Sequence, residues 1–126
     1  MIRLAELEKV MRSQFIWNHA SIKKMETSED DEGSKSLARD IFVGLSDVYG
    51  FDASDVCDYL DIGYDSYRHK LMKFREYYRE GKRREMEGIL HINDDKVKKF
   101  YIKVCLCMNS IKSHTQRDQY YLLEKI

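Results

Sequence analysis

Ten side chains between residues 64 and 84 have the types and spacing needed to bind a nucleic acid. Five of them are expected to face the base edges of a duplex: Tyr64, Ser66, Arg68, His69 and Lys73. The other five are expected to lie nearer the phosphates: Lys70, Arg75, Lys82, Arg83 and Arg84. A guanidinium can donate two hydrogen bonds to guanine, which makes Arg68 the candidate base reader, and the lysines would supply salt-dependent affinity.

The stretch DVCDYLDIGYDSYRHKL, residues 55 to 71, must position these side chains. It reads as a short acidic amphipathic helix, a turn at Gly63 that would use the left-handed conformation, and a second helix beginning near Asp65. The predicted inward positions are Val56, Cys57, Leu60, Ile62, Tyr67, Leu71, Phe74 and Tyr78. We expect the second helix to end near Gly81. This pattern is that of a helix-turn-helix with a basic, solvent-facing second helix.

The remaining sequence predicts one all-helical domain over residues 1–126. Residues 1–25 read as an amphipathic N-terminal helix, residues 26–36 as an acidic linker, residues 37–80 as the helix-turn-helix core and residues 94–126 as a C-terminal helical segment. The core begins with a helix whose apolar positions are Leu37, Ile41, Leu45 and Val48. With no proline and abundant helix formers, the fold class expected is all-α with about five helices.

The charges are distributed unevenly along a chain whose formal net charge is zero. Residues 1–65 hold 7 Lys/Arg and 14 Asp/Glu, whereas residues 66–126 hold 15 and 8. Residues 66–84 alone hold 8 Lys/Arg against 2 Asp/Glu. Such an asymmetry predicts a basic face for an anionic partner beside an acidic remainder.

Residues 56 to 71 resemble the helix-turn-helix of bacterial sigma-factor and LuxR-type regulators, with Val56, Leu60, Ile62, Tyr67 and Leu71 at the patterned positions. A wider resemblance runs through SLARDIFVGLSDVYGFDASDVCDYLD, which is similar to the C-terminal DNA-binding domain of the replication initiator DnaA. That likeness rests on Ala38, Arg39, Ile41 and Leu45. It implies a Trp repressor-like fold over residues 35 to 80 and binding to double-stranded DNA, as a transcriptional regulator or a replication accessory protein.

Departures from the family pattern limit which family properties the resemblance implies for this chain. Family members usually have glycine where Asp61 stands and a small or β-branched residue where Tyr67 stands. The Asp-His-Ser/Thr-Thr signature that precedes the DnaA reading helix is absent from GYDSYRHKL, so DnaA site specificity is not transferred. The chain also has no nucleotide-binding loop of the kind that replication ATPases use.

A second hypothesis assigns the basic second helix to a solvated face that is partly neutralised, with Arg75 and Arg79 paired to Glu76 and Glu80. Asp55, Asp58, Asp61 and Asp65 favour it, because carboxylates near the reading face repel phosphate. The chain would then be a non-enzymatic protein-interaction module in which the helix-turn-helix is structural. Salt-sensitive self-association without nucleic acid would favour this alternative.

Other chemistry finds little support in the sequence. Cys105 and Cys107 lie two residues apart on a predicted helix and so point about 200° apart, which disfavours a zinc site with His91 or His114. No glycine-rich elbow or orienting residue accompanies any cysteine, so we expect neither catalysis nor a cofactor. A homodimer joined through a terminal helix is compatible with the sequence, and Trp17 fits either a core or an interface. The lack of an apolar span and the three unpaired cysteines predict a cytoplasmic protein without membrane contact.

Overall fold

The structure, a computed structural model, describes residues 3–12, 14, 34–92 and 95–124, with the side chains of residues 34–36 and 115–124 left out. These residues form five α-helices and no strand, which confirms the all-α prediction. The helices are α1 (Leu4–Arg12), α2 (Ser34–Val48), α3 (Ala53–Leu60), α4 (Tyr64–Met86) and α5 (Lys96–Glu124). Much of the predicted N-terminal helix and linker, with Trp17, lies outside the described residues.

The core is built around α2, which contacts each of the other four helices. Residues 40 to 46 are all buried, because α2 is covered on every side and not along one stripe only. Ile41 and Leu45 are therefore in the core as predicted, while the adjacent Phe42 and Val43 are equally buried. Val48 is 54% exposed, so its assignment to the buried stripe is wrong: it is the last residue of α2 and lies beyond the neighbouring helices.

Helix α4 continues through Gly81 to Met86, so the predicted end near Gly81 is wrong. The glycine is buried, and a Cβ added to it would lie 2.5 Å from the Cβ of Tyr101. Because it has no side chain, α4 can approach α5 closely at this point, and that contact compensates for the weak helix propensity of glycine. The long α4 that results is held between α2 and α5.

The turn between α3 and α4 uses its residues differently from the prediction. Asp61 adopts the left-handed conformation, with φ of 56°, and ends α3. The backbone N–H of Ile62 donates to the carbonyl of Cys57 at 3.0 Å, the bond that closes a Schellman turn. Gly63 has φ of −78° and precedes α4 in an extended conformation, so its predicted left-handed role is wrong. The left-handed residue is the one at which the resembling families usually carry glycine.

Replacing Asp61 with glycine is expected to stabilise the protein by up to about 1 kcal/mol, because glycine relieves the steric cost of positive φ. The same substitution at Asp58, an exposed residue inside α3, is the matched control and should lower stability by a similar amount. Urea denaturation of the two variants checks the sign. A loss of stability in both would contradict the left-handed assignment at Asp61.

Candidate nucleic-acid interface

One face of α4 is open to solvent over most of its length. Residues at spacings of three or four share that face, which we call the α4 stripe: Tyr64, Arg68, Met72, Arg75, Arg79 and Lys82. The buried Tyr67, Phe74 and Gly81 lie about 100 to 140° around the helix from Arg68. At 1.5 Å per residue the stripe is about 27 Å long. Burial of one face on α2 and α5 thus determines which side chains of α4 meet solvent.

The ten predicted site residues do not all lie on this stripe. Tyr64, Arg68, Arg75 and Lys82 do, whereas His69 and Arg83 flank it. At 100° per residue, the remaining four point about 140 to 160° away from Arg68 around the helix. These four are Ser66, Lys70, Lys73 and Arg84. Met72 and Arg79 were not among the predicted site residues, but they belong to the stripe. Their spacing of four and eleven residues from Arg68 is the sequence signal that indicates a shared helix face.

Two of the predicted DNA-binding cations form ion pairs with aspartates of α2. The Lys73 Nζ lies 3.1 Å from Oδ2 of Asp40, and Arg75 Nη2 donates to Oδ2 of Asp47 at 3.1 Å. Asp40 is only 3% exposed, and burial raises the pKa of its carboxyl while Lys73 opposes that shift. These pairs connect α4 to α2, so at least part of the predicted basic surface serves the fold.

Arg83 and Arg84 are paired more extensively at the C-terminal end of α4. Arg83 donates to Glu80 and to Glu87, each at 2.6 Å, and Arg84 donates to Asp95 at 2.8 Å. Hydrogen bonds from Arg83, followed by those from Arg84, lower the pKa of Glu80 to about 2. Glu80 thus pairs with these arginines, and within the part of the chain described no ion pair joins Arg75 or Arg79 to Glu76 or Glu80.

Three cations of the stripe are exposed and form no ion pair with any residue that the structure describes: Arg68, Arg79 and Lys82. Lys70 is half-buried behind them, close enough to Asp40 to lower the pKa of that carboxyl. Tyr64 is 61% exposed at the start of the stripe, with its ring stacked on Tyr67 at 6.1 Å between centroids. The stripe therefore combines uncompensated positive charge with one exposed aromatic ring.

The α3 side of the stripe is acidic. Its exposed aspartates are Asp52, Asp55, Asp58, Asp61 and Asp65. None of the five forms an ion pair with another described residue. A polyanion would therefore be attracted to the outer face of α4 and repelled by the exposed face of α3.

A buried polar contact fixes α3 in place beneath the turn. The Tyr59 hydroxyl of α3 donates to Glu8 of α1 at 2.9 Å, and Arg12 donates to the other oxygen of Glu8 at 2.7 Å. Glu8 is only 5% exposed. Burial, followed by the hydrogen bond to Glu8, raises the pKa of Tyr59 to about 12, so its hydroxyl stays a donor across the physiological range. This contact ties α3 to α1, in addition to its packing against α2 and α4.

The cysteines lie apart from the stripe. Cys107 is buried, and burial raises the pKa of its thiol to about 12. Cys105 is half-buried beside Tyr101, and burial raises the pKa of its thiol as well. His91 is exposed, and His114 lies 3.8 Å from Glu6. Within the described ranges, no three His, Cys, Asp or Glu side chains cluster closely enough to hold a metal ion.

No α-helix among the residues described has the length and apolar character needed to cross a membrane. Comparison of the chain with protein-family models, with curated proteins and with solved structures finds no match.

Proposed function

We propose that this protein binds double-stranded DNA through α3, the turn at Asp61 and α4, with the α4 stripe facing the major groove. The observation that carries the proposal is the presence of Arg68, Arg79 and Lys82 on one exposed face, each without an ion-pair partner among the described residues. Exposed cations that serve no internal pair are available to phosphates and base edges. A role as a transcriptional regulator or replication accessory protein is part of the same proposal.

The dimensions of α4 suit binding in the major groove of DNA. An α-helix with its side chains is about 10–12 Å across, and the major groove of B-DNA is about 12 Å wide. Because α2 and α5 cover the back of α4, its outer face, with the stripe and the flanking His69, is the part that can enter the groove. Arg68, near the start of α4, is then placed to read guanine, and Tyr64 and His69 can hydrogen-bond to neighbouring bases or phosphates. Arg79 and Lys82, three to four turns further on, are assigned to phosphates.

The ion pairs formed by α4 confine its attraction for phosphate to a narrow region of its surface. Lys73, Arg75, Arg83 and Arg84 each have a carboxylate partner, so their charges are partly offset. The exposed aspartates of α3 repel phosphate on one side. A protein with zero net charge can in this way present a local positive potential without general adhesion to polyanions.

Simultaneous replacement of Arg68, Arg79 and Lys82 by alanine is expected to weaken binding to a random 24-base-pair duplex at least about ten-fold in 0.1 M salt. The slope of log affinity against log salt should fall in magnitude by about 2, because two assigned phosphate contacts are lost. Fluorescence anisotropy across a salt series measures both quantities.

The matched control replaces Lys96, Lys99 and Lys112, three exposed lysines of α5, by alanine and so removes the same charge. If DNA binding depends on the stripe, the control variant keeps most of its affinity and salt slope. Equal losses of DNA affinity in the two triple variants would show that binding depends only on net charge. The stripe would then be rejected as the interface.

The second candidate function is a protein-interaction module. The five exposed aspartates on the α3 side of the stripe favour it, because carboxylates without ion-pair partners among described residues can recognise a basic protein surface. Sedimentation velocity of the protein alone at low and high salt distinguishes the candidates. Salt-sensitive self-association together with absence of DNA binding would support the module, whereas a monomer that binds DNA would support the first proposal.

A further inference from the structure

Met72 is an apolar residue among the cations of the α4 stripe, with the exposed Glu76 one turn further on. Its side chain is 60% exposed, one turn after Arg68 on the α4 stripe. At 100° per residue, Arg68 and Arg79 lie about 40° and 20° from it around the helix, and Arg75 lies about 60° away. No described residue covers this side chain, whereas most of the large apolar side chains that the structure describes are buried or half-buried.

We propose that Met72 is a specificity-determining residue that contacts the 5-methyl group of thymine, or of 5-methylcytosine, in the major groove. This inference rests on the proposed DNA-binding function. If the stripe enters the groove, the arginines on either side of Met72 take the phosphates and the polar base edges. Among the groups that base pairs display there, the methyl group at C5 is the apolar one. A thioether side chain is flexible and polarizable enough to pack against it.

The position of Met72 along α4 also fits base contact. It lies in the first half of the helix with Tyr64 and Arg68, whereas Arg79 and Lys82 follow in the second half. In helix-turn-helix docking, the early part of the second helix contacts base edges. A methyl group placed against Met72 would remove apolar surface of both partners from water, which corresponds to about four-fold in Kd for one contact.

Met86 provides a matched control on the same helix. It is 79% exposed and lies fourteen residues further along than Met72. Glu85 and Glu87 flank it in sequence, and Arg83 donates to Glu87 at 2.6 Å. Met86 is the last residue of α4, one turn beyond the phosphate-assigned Lys82, so it is not expected to meet a base.

The test measures binding of the full chain to an alternating dA–dT duplex and to the same duplex with uracil for thymine, which removes only the methyl groups. Wild-type protein should bind the uracil duplex about four-fold more weakly, and Met72→Ala should bind both duplexes equally. Met86→Ala should keep the wild-type ratio. A reciprocal gain of similar size is expected when 5-methylcytosine replaces cytosine in an alternating dG–dC duplex. Circular dichroism confirms that each variant folds.

The outcomes separate this inference from the function on which it rests. Binding of both duplexes with the same affinity by wild-type protein would overturn the role of Met72 and leave DNA binding intact. If wild type and Met72→Ala show the same ratio of affinities for the thymine and uracil duplexes, that ratio reflects duplex shape. This outcome would also overturn the role of Met72. Failure to bind any duplex at low salt would overturn both proposals.

Discussion

The substitution Gly44→Ala is expected to lower the stability of the protein by about 3 kcal/mol or more, a large part of the roughly 5–15 kcal/mol that keeps a domain folded. Gly44 lies in the middle of α2, where that helix crosses α4, and a Cβ added to it would lie 2.0 Å from Cγ of the Phe74 ring. Phe74 cannot simply move away, because its ring also contacts Tyr78 and Phe100. Alanine would gain about 1 kcal/mol of helix propensity, which is too little to offset separation of the helices. Urea denaturation followed by circular dichroism measures the effect.

Two further variants isolate the close approach as the cause. Gly63→Ala adds the same methyl group where no atom lies within 4 Å, so it should change stability by about 1 kcal/mol or less. Gly44→Ala combined with Phe74→Ala should cost less than the sum of the two single losses, because the two side chains would then no longer compete for one space. A Gly44→Ala protein as stable as the wild type would show that α2 and α4 do not cross this closely.

The helices were predictable because their apolar residues recur at spacings of three and four. That signal is local, and it predicted α4 with Tyr67 and Phe74 facing inward. The misread glycines show its limit. A glycine in a helical sequence indicates a break unless another helix packs against it, and the partner of Gly81 is Tyr101, twenty residues further along the chain. Likewise, the sequence predicts the left-handed conformation at Gly63, whereas Asp61, two positions earlier, adopts it.

The candidate site was predictable in its position but less so in its charge. Periodicity places Arg68, Arg75 and Lys82 on the outer face once the inner face of α4 is known. Local sequence did not reveal that Lys73 and Arg75 pair with Asp40 and Asp47, because these partners lie on a different helix about thirty residues away. Ion pairs across a helix crossing depend on the crossing geometry, and a sequence pattern contains no such information.

These two pairs change the meaning of the charge asymmetry. The acidic first half of the chain and the basic second half looked like separate surfaces, yet Asp40–Lys73 and Asp47–Arg75 join the two halves inside one fold. Part of the asymmetry therefore contributes to the association of α2 with α4. The charges left for an external partner are fewer than the sequence total, and they are more sharply localised.

The pair between Asp40 and Lys73 carries the second large prediction. Lys73→Ala is expected to lower stability by about 2 kcal/mol at neutral pH. Removing one partner of a fully buried pair costs roughly 3–5 kcal/mol, and here the Lys73 side chain is 45% exposed, which reduces the loss. Asp40 is the sensitive member, since it is 3% exposed and its Oδ2 has no well-formed hydrogen bond among described residues apart from the ion pair. Arg75→Ala is the matched control and should cost about 1 kcal/mol or less, because Asp47 is 38% exposed.

The pH dependence of the Lys73→Ala variant distinguishes loss of the ion pair from loss of packing. Burial raises the pKa of Asp40 above the ordinary 3.8, and removal of Lys73 raises this pKa further. A carboxyl with a raised pKa in the folded state binds its proton more tightly there than in the unfolded chain. The ionised group therefore destabilises the fold, with a cost that is absent below pH 3.8 and grows as the pH rises through the folded-state pKa.

The stability deficit of Lys73→Ala relative to wild type should accordingly shrink on acidification. Urea denaturation from neutral pH down to the ordinary pKa of 3.8 measures this change. In the Asp40→Asn background, the deficit that Lys73→Ala causes relative to Asp40→Asn alone should lose this pH dependence, because position 40 no longer carries a carboxyl. A deficit that is constant with pH would instead assign the loss to the contact of Lys73 with the Tyr77 ring, at 5.8 Å from its centroid. It would also mean that the charge of Asp40 is solvated in a way its burial does not suggest. A pH-sensitive deficit would show that Lys73 serves the fold through its ion pair with Asp40, which leaves Arg68, Arg79 and Lys82 as the cations of the proposed DNA-binding surface.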